Sequence, residues 1–374
     1  MSLQFITGNS GNGKTKYLFN RIVKEAKANP RDNYLVIVPE QFTMQTQRQL
    51  VDLSENKAIM NIDVLSFKRL AYRVFDELGI TNLTVLEETG KNLVLRKLAA
   101  QEADKLGIIG RNLNRIGYIS EVKSLLSELV QYNISPEELG RYIASGRLSD
   151  TLSDKLKDVL VLYEAFEKFM QDKYITAEEI LNVLSNVAEE SAILRNSVIA
   201  FDEFTGFTPI QNQLIKKLFV ISKKIYVTLT IDCREDIFKS RGMQELFDMP
   251  KRTVKSLTEM AAFYGIEVEE PIILDKNYRL AENEELSFME QQLFRKRRCS
   301  FKKVPKHIHI DCLRDPKQEL TKIARRINEL VRNENLRYRD IAIVTGDVNI
   351  YAGYVREIFD KYNIPYFIDA TQEI

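Results

Sequence analysis

A glycine-rich stretch close to the amino terminus, residues 8–15, has the residue types and the spacing needed to hold phosphate groups. It consists of Gly8, Asn9, Ser10, Gly11, Asn12, Gly13, Lys14 and Thr15, a complete G-x-x-x-x-G-K-[ST] pattern. The glycines allow the backbone to curl so that successive N–H groups point inward. Lys14 can place its charge at the β- and γ-phosphates, and Thr15 can offer a hydroxyl to Mg²⁺. The pattern predicts a site for a nucleoside triphosphate.

The flanks of this loop fit the strand and the helix that such an anion site needs. Leu3, Phe5 and Ile6 predict the preceding strand, and residues 17–28 predict the helix whose N-terminus completes the site. An ordinary strand–turn–helix corner is the alternative interpretation.

A second candidate is the acid pair in "VIAFDEF", where Asp202 and Glu203 follow an apolar strand. Open α/β sheets place ligands at this carboxyl end. Asp202 is predicted to bind Mg²⁺, and Glu203 to polarise the attacking water. Gln211 is a candidate γ-phosphate sensor. A surface turn with two incidental acids, and a solvated helix glutamine, are the alternatives.

Composition limits the class of protein. The chain has 374 residues and a net charge of +1, from 54 basic and 53 acidic residues, so any nucleic-acid groove must be local. The three cysteines lack metal-ligand spacing, and their scarcity suits a reducing cytoplasm. There is no apolar run of membrane-spanning length and no signal peptide, so we expect a cytoplasmic protein without a membrane partner.

Strand and helix signals predict an α/β fold interrupted by helices. The predicted parts are a P-loop (RecA-like) parallel-sheet domain over 1–75 plus 193–285, an all-helical insertion over 76–192, and a linker with the start of a second α/β domain over 286–374. Within the last part, 307–313 and 340–347 are predicted strands around a helix near 317–333. Because a doubly wound domain would need further elements, we expect the chain to be a fragment.

The order of motifs resembles that of the UvrD/Rep-type superfamily 1 helicases and, most closely, the AddB (RexB-like) family of helicase–nuclease subunits. After the loop, the resembling segments are "VIVPEQFTMQTQRQL" (36–50, motif Ia), "VLSFKRLAYRVF" (64–75, motif Ib), "FDEFTGFTPIQ" (201–211, motif II) and "LDKNYRL" (274–280, motif IV). The resemblance covers nearly the whole chain. It implies the amino-terminal third of a longer subunit that uses ATP and Mg²⁺.

Motif IV implies that Tyr278 stacks on adenine and that Arg279 reaches the γ-phosphate. Because Arg279 lies on the segment leaving the first α/β domain, we expect it to approach the γ-phosphate only when the second domain docks, so that nucleotide acts as a clamp between Lys14 and Arg279. The alternative is that "NYR" begins a helix and leaves Arg279 in solvent.

Motifs Ia and Ib imply contacts with single-stranded DNA from residues just after two strands. The candidates are Phe42, Thr43, Ser66, Phe67, Lys68 and Arg69. Core packing is an equal alternative for Phe67. The basic run 294–303 is a candidate phosphate-tracking hinge, although a solvated linker is the commoner meaning of such runs.

The resemblance further implies a heterodimer with an AddA-like subunit that processes double-strand DNA ends for recombinational repair. Strand scanning and Chi recognition would fall to this helicase-like half, with the nuclease domain and the iron–sulfur cysteines beyond this chain. Residues 204–206 depart from the Gln-Asp that usually follows the acid pair in these helicases, and no adenine-reading glutamine precedes the loop. ATP binding is therefore implied more directly than turnover. A small-molecule P-loop kinase and a non-hydrolysing scaffold subunit are the rival functions; the long helical insertion disfavours the kinase.

Overall fold

The computed structural model describes residues 1–81, 84–108, 110, 117–146, 148–170, 174–295 and 299–369. They form two compact units, Met1–Glu282 and Asn283–Ile374. Parts of the predicted insertion, three positions of the basic run 294–303 and the last five positions of the chain lie outside the described residues.

The first unit is built on a parallel β-sheet. The strands in chain order are β1 (Ser2–Gly8), β2 (Tyr34–Ile37), β3 (Ile62–Leu65), β4 (Val85–Leu86), β5 (Ile175–Thr176), β6 (Val198–Phe201), β7 (Lys224–Thr230), β8 (Glu267–Val268) and β9 (Ile272–Leu274). The main sheet has the order β3–β2–β6–β7–β1, and both β8 and β9 pair with the outer side of β1. All of these pairings are parallel. The carboxyl ends of the strands therefore lie along one edge.

Helices cover both faces of this sheet. In chain order the helices of the first unit are α1 (Lys14–Ala28), α2 (Thr43–Leu53), α3 (Phe67–Leu78), α4 (Glu88–Gln101), α5 (Tyr118–Gln131), α6 (Pro136–Ala144), α7 (Asp150–Met170), α8 (Ile180–Val187), α9 (Pro209–Ile221) and α10 (Asp248–Phe263). Side chains of β2 alternate between the faces, with Leu35 and Ile37 in one core and Val36 in the other. The core that contains Val36 holds residues of α1 and α2, and the opposite core holds α3, α8, α9 and α10. Burial on both faces explains why β2 and β6 are continuous apolar runs.

The chain between β3 and β6 carries the helical insertion, which has a core of its own made mainly by α4, α5 and α7. Two differences from the sequence prediction concern its edges. The short strands β4 and β5 pair with each other, so the described part of 76–192 is not wholly helical. In addition, α8 packs Ile180 and Leu184 into the core of the main sheet instead of the insertion core. Pairing of β4 with β5 joins the entry and the exit of the insertion.

The second unit contains α11 (Glu284–Gln292), α12 (Pro316–Asn333) and α13 (Val348–Lys361). Leu320 and Ile327 of α12 pack with Ile358 and Phe359 of α13 in a small core. The predicted helix near 317–333 is confirmed by α12. The predicted strands at 307–313 and 340–347 are not formed within the described residues. These segments have apolar residues typical of strands, but a strand also needs a paired neighbour, and neither segment pairs in this part of the chain.

Candidate nucleotide site and its surroundings

Segments that are far apart in the sequence meet at the carboxyl edge of the main sheet. The loop 8–15 follows β1, the acid pair follows β6, and residues 275–280 follow β9. Together with α2 they enclose a cleft of about 810 Å³. Its polar walls include Ser10, Lys14, Thr15, Gln45, Thr46, Gln49, Asp202, Glu203, Thr228, Tyr278 and Arg279.

Two glycines of the loop have backbone conformations that other residues rarely adopt. Gly11 has a φ of 89°, and Gly13, which caps the N-terminus of α1, has a φ of 78°. A Cβ on Gly11 would lie 2.7 Å from Asn277 Oδ1 and 2.8 Å from Arg279 Cβ. Glycine is therefore required at position 11 both by the backbone and by the segment packed against it.

The ammonium group of Lys14 folds back over the loop. Its Nζ donates to the carbonyl oxygens of Gly8, at 3.1 Å, and of Asn9, at 3.0 Å. Burial lowers the pKa of Lys14, the carboxylates of Glu203 and Asp202 oppose this shift, and Arg279 adds to it. A bound anion would favour the charged form and supply the partner that a buried ammonium group needs.

Asp202 is the buried acid of the cleft, with a relative exposure of 1%. Thr228 donates its hydroxyl to Oδ1, while Oδ2 is buried without a hydrogen-bond partner within the described residues. Burial raises the pKa of Asp202; the hydroxyl of Thr228 opposes the shift, and the charge of Glu203 increases it. An unsatisfied carboxylate oxygen near a threonine hydroxyl fits a Mg²⁺ ligand set.

No cluster of three or more acidic, histidine or cysteine side chains within the described residues could hold a metal by itself. Mg²⁺ is usually held by one or two carboxylates together with the phosphates of a nucleotide. Asp202 and Thr15 are the residues that would supply the protein ligands.

Glu203 stands exposed at the cleft with a strained backbone. Its φ of 64° lies in the left-handed region, which costs a residue with a side chain about 1–2 kcal/mol. Its Oε1 accepts a hydrogen bond from Thr15 Oγ1 at 3.3 Å. The turn thus presents the carboxylate beside the hydroxyl that follows Lys14.

The segment after β9 is bound to the loop. Asn277 Nδ2 donates to the Ser10 carbonyl at 3.0 Å, Tyr278 N donates to the Gly11 carbonyl at 3.0 Å, and Arg279 Nη1 lies 3.3 Å from Ser10 Oγ. These contacts arise because β9 pairs with β1, with Leu274 opposite Gly8, so both chains leave the sheet side by side.

The placement of Arg279 corrects the sequence expectation. Arg279 belongs to the same unit as the loop and contacts it there, so its position beside the loop requires no docking of a second domain. Nor does it begin a helix, since the next helix starts at Glu284. The pairing of β9 with β1 was not apparent from the sequence, because three residues give too weak a strand signal.

Tyr278 is 64% exposed, and a Cβ on Gly13 would lie 3.5 Å from its ring. Lys276 Nζ lies 5.0 Å from the ring centroid. The exposed part of the ring offers a surface for a stacked partner at the loop end of the cleft.

The side chain of Gln211 is hydrogen-bonded at the start of α9 and does not line the cleft. Its Oε1 accepts a hydrogen bond from Thr208 N at 2.9 Å in the capping box of α9. The glutamines that do line the cleft are Gln45 and Gln49 of α2, which were not predicted. Their spacing of four residues, which places them on one helix face, was the available signal.

The six residues predicted to contact DNA lie at the ends of the neighbouring strands β2 and β3. They surround Glu40, for which the sequence analysis predicted no role. Its carboxylate accepts hydrogen bonds from the Ser66 hydroxyl and from Arg69 Nε, the latter at 3.0 Å. The Ser66 hydroxyl lowers the pKa of Glu40, burial opposes this, and Arg69 and Lys68 lower it further. Thr43 Oγ1 donates to the Glu40 carbonyl at 3.0 Å. Glu40 therefore ties the two strand ends together.

Phe67 differs from its neighbours in sequence because it is 7% exposed and packs in an aromatic cluster. Its ring centroid lies 5.5 Å from that of Phe204, 5.8 Å from that of Phe201 and 6.4 Å from that of Phe207. Core packing is what the structure shows for this side chain, while Lys68 and Arg69 are exposed.

Comparisons with known proteins agree with the motif order. Residues 5–290 match the family model described as "ADDB, N-terminal". The chain is 38% identical over 379 residues to the B subunit of the ATP-dependent helicase/deoxyribonuclease of Lachnoclostridium phytofermentans, and 34% identical to the corresponding proteins of Clostridium tetani and Clostridioides difficile. These alignments cover 100% of the chain and 33%, 33% and 32% of the relatives, so the chain spans about a third of their length.

Among the described helices, none combines the length and the apolar composition that crossing a bilayer requires.

The family model extends from within β1 to within α11 and so includes the residues that line the cleft. The resemblance drawn from the motifs is confirmed, and the chain belongs to the AddB family.

Proposed function

We propose that this chain binds ATP with Mg²⁺ in the cleft at the carboxyl edge of the sheet, as the nucleotide-binding part of an AddB-type helicase/deoxyribonuclease subunit. The observation that carries the proposal is the unsatisfied Oδ2 of Asp202 in one cleft with Lys14 and Thr15. The names of the relatives support the wider role.

Each part of the site has a role in this proposal. The backbone N–H groups of the loop and the N-terminus of α1 bind the phosphates, and Lys14 and Arg279 contribute positive charge. Tyr278 provides a face on which adenine stacks. Mg²⁺, when bound, would neutralise phosphate charge. Glu203 would orient the attacking water and accept its proton.

We extend the proposal to DNA at the ends of β2 and β3. Phe42 is the N-cap residue of α2 and Thr43 is its first residue. Ser66 is the N-cap residue of α3, and Lys68 and Arg69 lie in its first turn, where exposed basic groups can follow a phosphate backbone. Single-stranded DNA bound there would be scanned for Chi while an AddA-like partner subunit and a nuclease domain process double-strand ends.

A second candidate function, nucleotide binding without turnover, is favoured by one observation. The side chain of Gln211, the predicted γ-phosphate sensor, is held in the capping box of α9. A scaffold subunit would use the nucleotide to stabilise its fold and would not need this sensor.

The test is ATP turnover by the full-length AddB-type protein in complex with a partner subunit whose own ATPase has been inactivated, with and without single-stranded DNA. We expect Glu203→Gln to lower turnover by at least about a hundredfold and to leave nucleotide affinity nearly unchanged. The exposed Glu259→Gln on α10 is the matched control. Wild-type turnover that Glu203→Gln leaves intact would remove Glu203 from the proposal, and binding without turnover in wild type would favour the scaffold function.

A further inference from the structure

We infer that α2 senses the terminal phosphate of the bound nucleotide through Gln45 and Gln49, which contact the γ-phosphate or the water beside it. This inference rests on the proposed ATP site. In it, Gln45 and Gln49 distinguish a bound nucleoside triphosphate from a diphosphate.

The order of the strands gives the direction in which the nucleotide lies. Along the carboxyl edge, Tyr278 follows β9 on the outer side of β1, the loop follows β1, Thr228 lies on β7, and the acid pair follows β6. The next strand is β2, which leads into α2. A nucleotide with its base at Tyr278 and its phosphates in the loop therefore extends toward Glu203 and then toward α2.

The side chains of Gln45 and Gln49 are suited to this position. Both are exposed, both line the cleft, and the described residues offer neither side chain a hydrogen-bond partner. A primary amide can donate to a phosphate oxygen and can also accept a hydrogen bond from water. Gln47, on the same helix, is exposed but does not line the cleft.

The other residues of this wall restrict where an anion can lie. Asp52, at the far end of α2, also lines the cleft, and its negative charge disfavours a phosphate there. The first turn of α2 is favourable because the partial positive charge of a helix N-terminus lies there. Gln45 lies in this first turn, and Gln49 follows one turn later, before Asp52.

The experiment compares binding of a non-hydrolysable ATP analogue and of ADP, each with Mg²⁺, to the wild-type chain and to the double variant Gln45→Ala/Gln49→Ala. We expect the double variant to lose about tenfold in affinity for the triphosphate analogue and to keep its affinity for ADP. Gln47→Ala, the matched control, should change neither affinity. A second double variant, Gln45→Glu/Gln49→Glu, should lose more triphosphate affinity through charge repulsion, and thermal unfolding checks that both variants fold.

The outcomes separate this inference from the proposed function. If wild type binds neither nucleotide, the proposed ATP site fails and the inference fails with it. If wild type binds both and the double alanine variant keeps the wild-type ratio of affinities, only the sensor role is overturned. Equal weakening of both nucleotides would also overturn it, because it would indicate contacts with the base or the inner phosphates.

Discussion

At the scale of single residues, burying the carboxylate of Asp202, the candidate Mg²⁺ ligand, lowers the stability of the folded protein. Burial raises its folded-state pKa above the ordinary 3.8. Between the unfolded and the folded pKa, the folded protein keeps a proton that the unfolded chain has released. The free energy of unfolding contributed by this group therefore falls as pH rises through that window.

Asp202→Asn removes this dependence. We expect the variant to match wild type near the bottom of the window and to exceed its unfolding free energy, by about 1 kcal/mol or more, above the folded pKa. Denaturant titrations at a series of pH values measure the difference. Asp236→Asn is the control of opposite sign, because hydrogen bonds from Phe238 N and Lys239 lower the pKa of Asp236. A variant less stable than wild type at neutral pH would contradict the burial argument for Asp202.

The left-handed backbone of Glu203 is also testable at this scale. Glu203→Gly and Glu203→Ala both remove the carboxylate, but only glycine adopts a φ of 64° without strain. We expect the glycine variant to be more stable than the alanine variant by about 1 kcal/mol, measured as unfolding free energy in urea. Equal stabilities would show that the turn relaxes when the side chain is removed.

At the scale of elements, the aromatic cluster fixes α3 against the turn after β6. Phe67→Ala should lower the unfolding free energy by about 3 kcal/mol or more, because it leaves a cavity among three other rings. Its exposed neighbour provides the control, since Lys68→Ala should leave stability nearly unchanged. Denaturation of both variants checks this, and a Phe67→Ala variant of wild-type stability would return Phe67 to the list of candidate DNA contacts.

The helical insertion depends on a buried ion pair. Lys91 is 3% exposed along its side chain and lies 2.7 Å from Glu178 and 2.9 Å from Glu88. Lys91→Ala would leave Glu178 buried without its partner, so we expect a loss of about 3 kcal/mol. Lys105→Ala, which removes the pair of the exposed Lys105 with Glu102, should leave the unfolding free energy nearly unchanged. Thermal unfolding of the two variants should differ clearly, and similar losses would show that the Lys91 cluster is solvated.

How well elements can be predicted from sequence depends on where their stabilising contacts lie. The strands β2, β6 and β7 have four to seven residues and are mainly apolar, and the helix start at Ser135 carries its own cap, with Ser135 Oγ accepting from Glu138 N. Thr176 and Glu179 form the reciprocal bonds of a capping box that their spacing of three residues favours, although the α-helix itself begins at Ile180. The strands β4, β5 and β9 have two or three residues each, and they form only because partners from distant parts of the chain lie beside them.

The same contrast applies to the candidate site. The loop 8–15 and the acid pair could be identified because each is a local pattern with its own chemistry. Gln45, Thr228 and Asn277 could not, because their place at the cleft is set by strand order and by the pairing of β9 with β1.

At the scale of the whole molecule, all residues that line the cleft belong to Met1–Glu282. We expect a chain of residues 1–282 to unfold cooperatively and to bind the ATP analogue within about threefold of the affinity of residues 1–374, since Tyr278 and Arg279 contact the loop within the first unit. Fluorescence titration of both chains with the ATP analogue measures the two affinities. Loss of binding in a folded 1–282 chain would restore the clamp between domains that the sequence suggested.

The most direct test of the ATP site is calorimetric titration of a non-hydrolysable ATP analogue with Mg²⁺ into wild type and Lys14→Ala. We expect saturable binding at one site in wild type and a loss of at least about tenfold in affinity when the Lys14 charge is removed. Lys24→Ala, an exposed lysine on the same helix, should bind like wild type. Absence of binding to wild type, or equal affinity in wild type and Lys14→Ala, would contradict a nucleotide site in this loop.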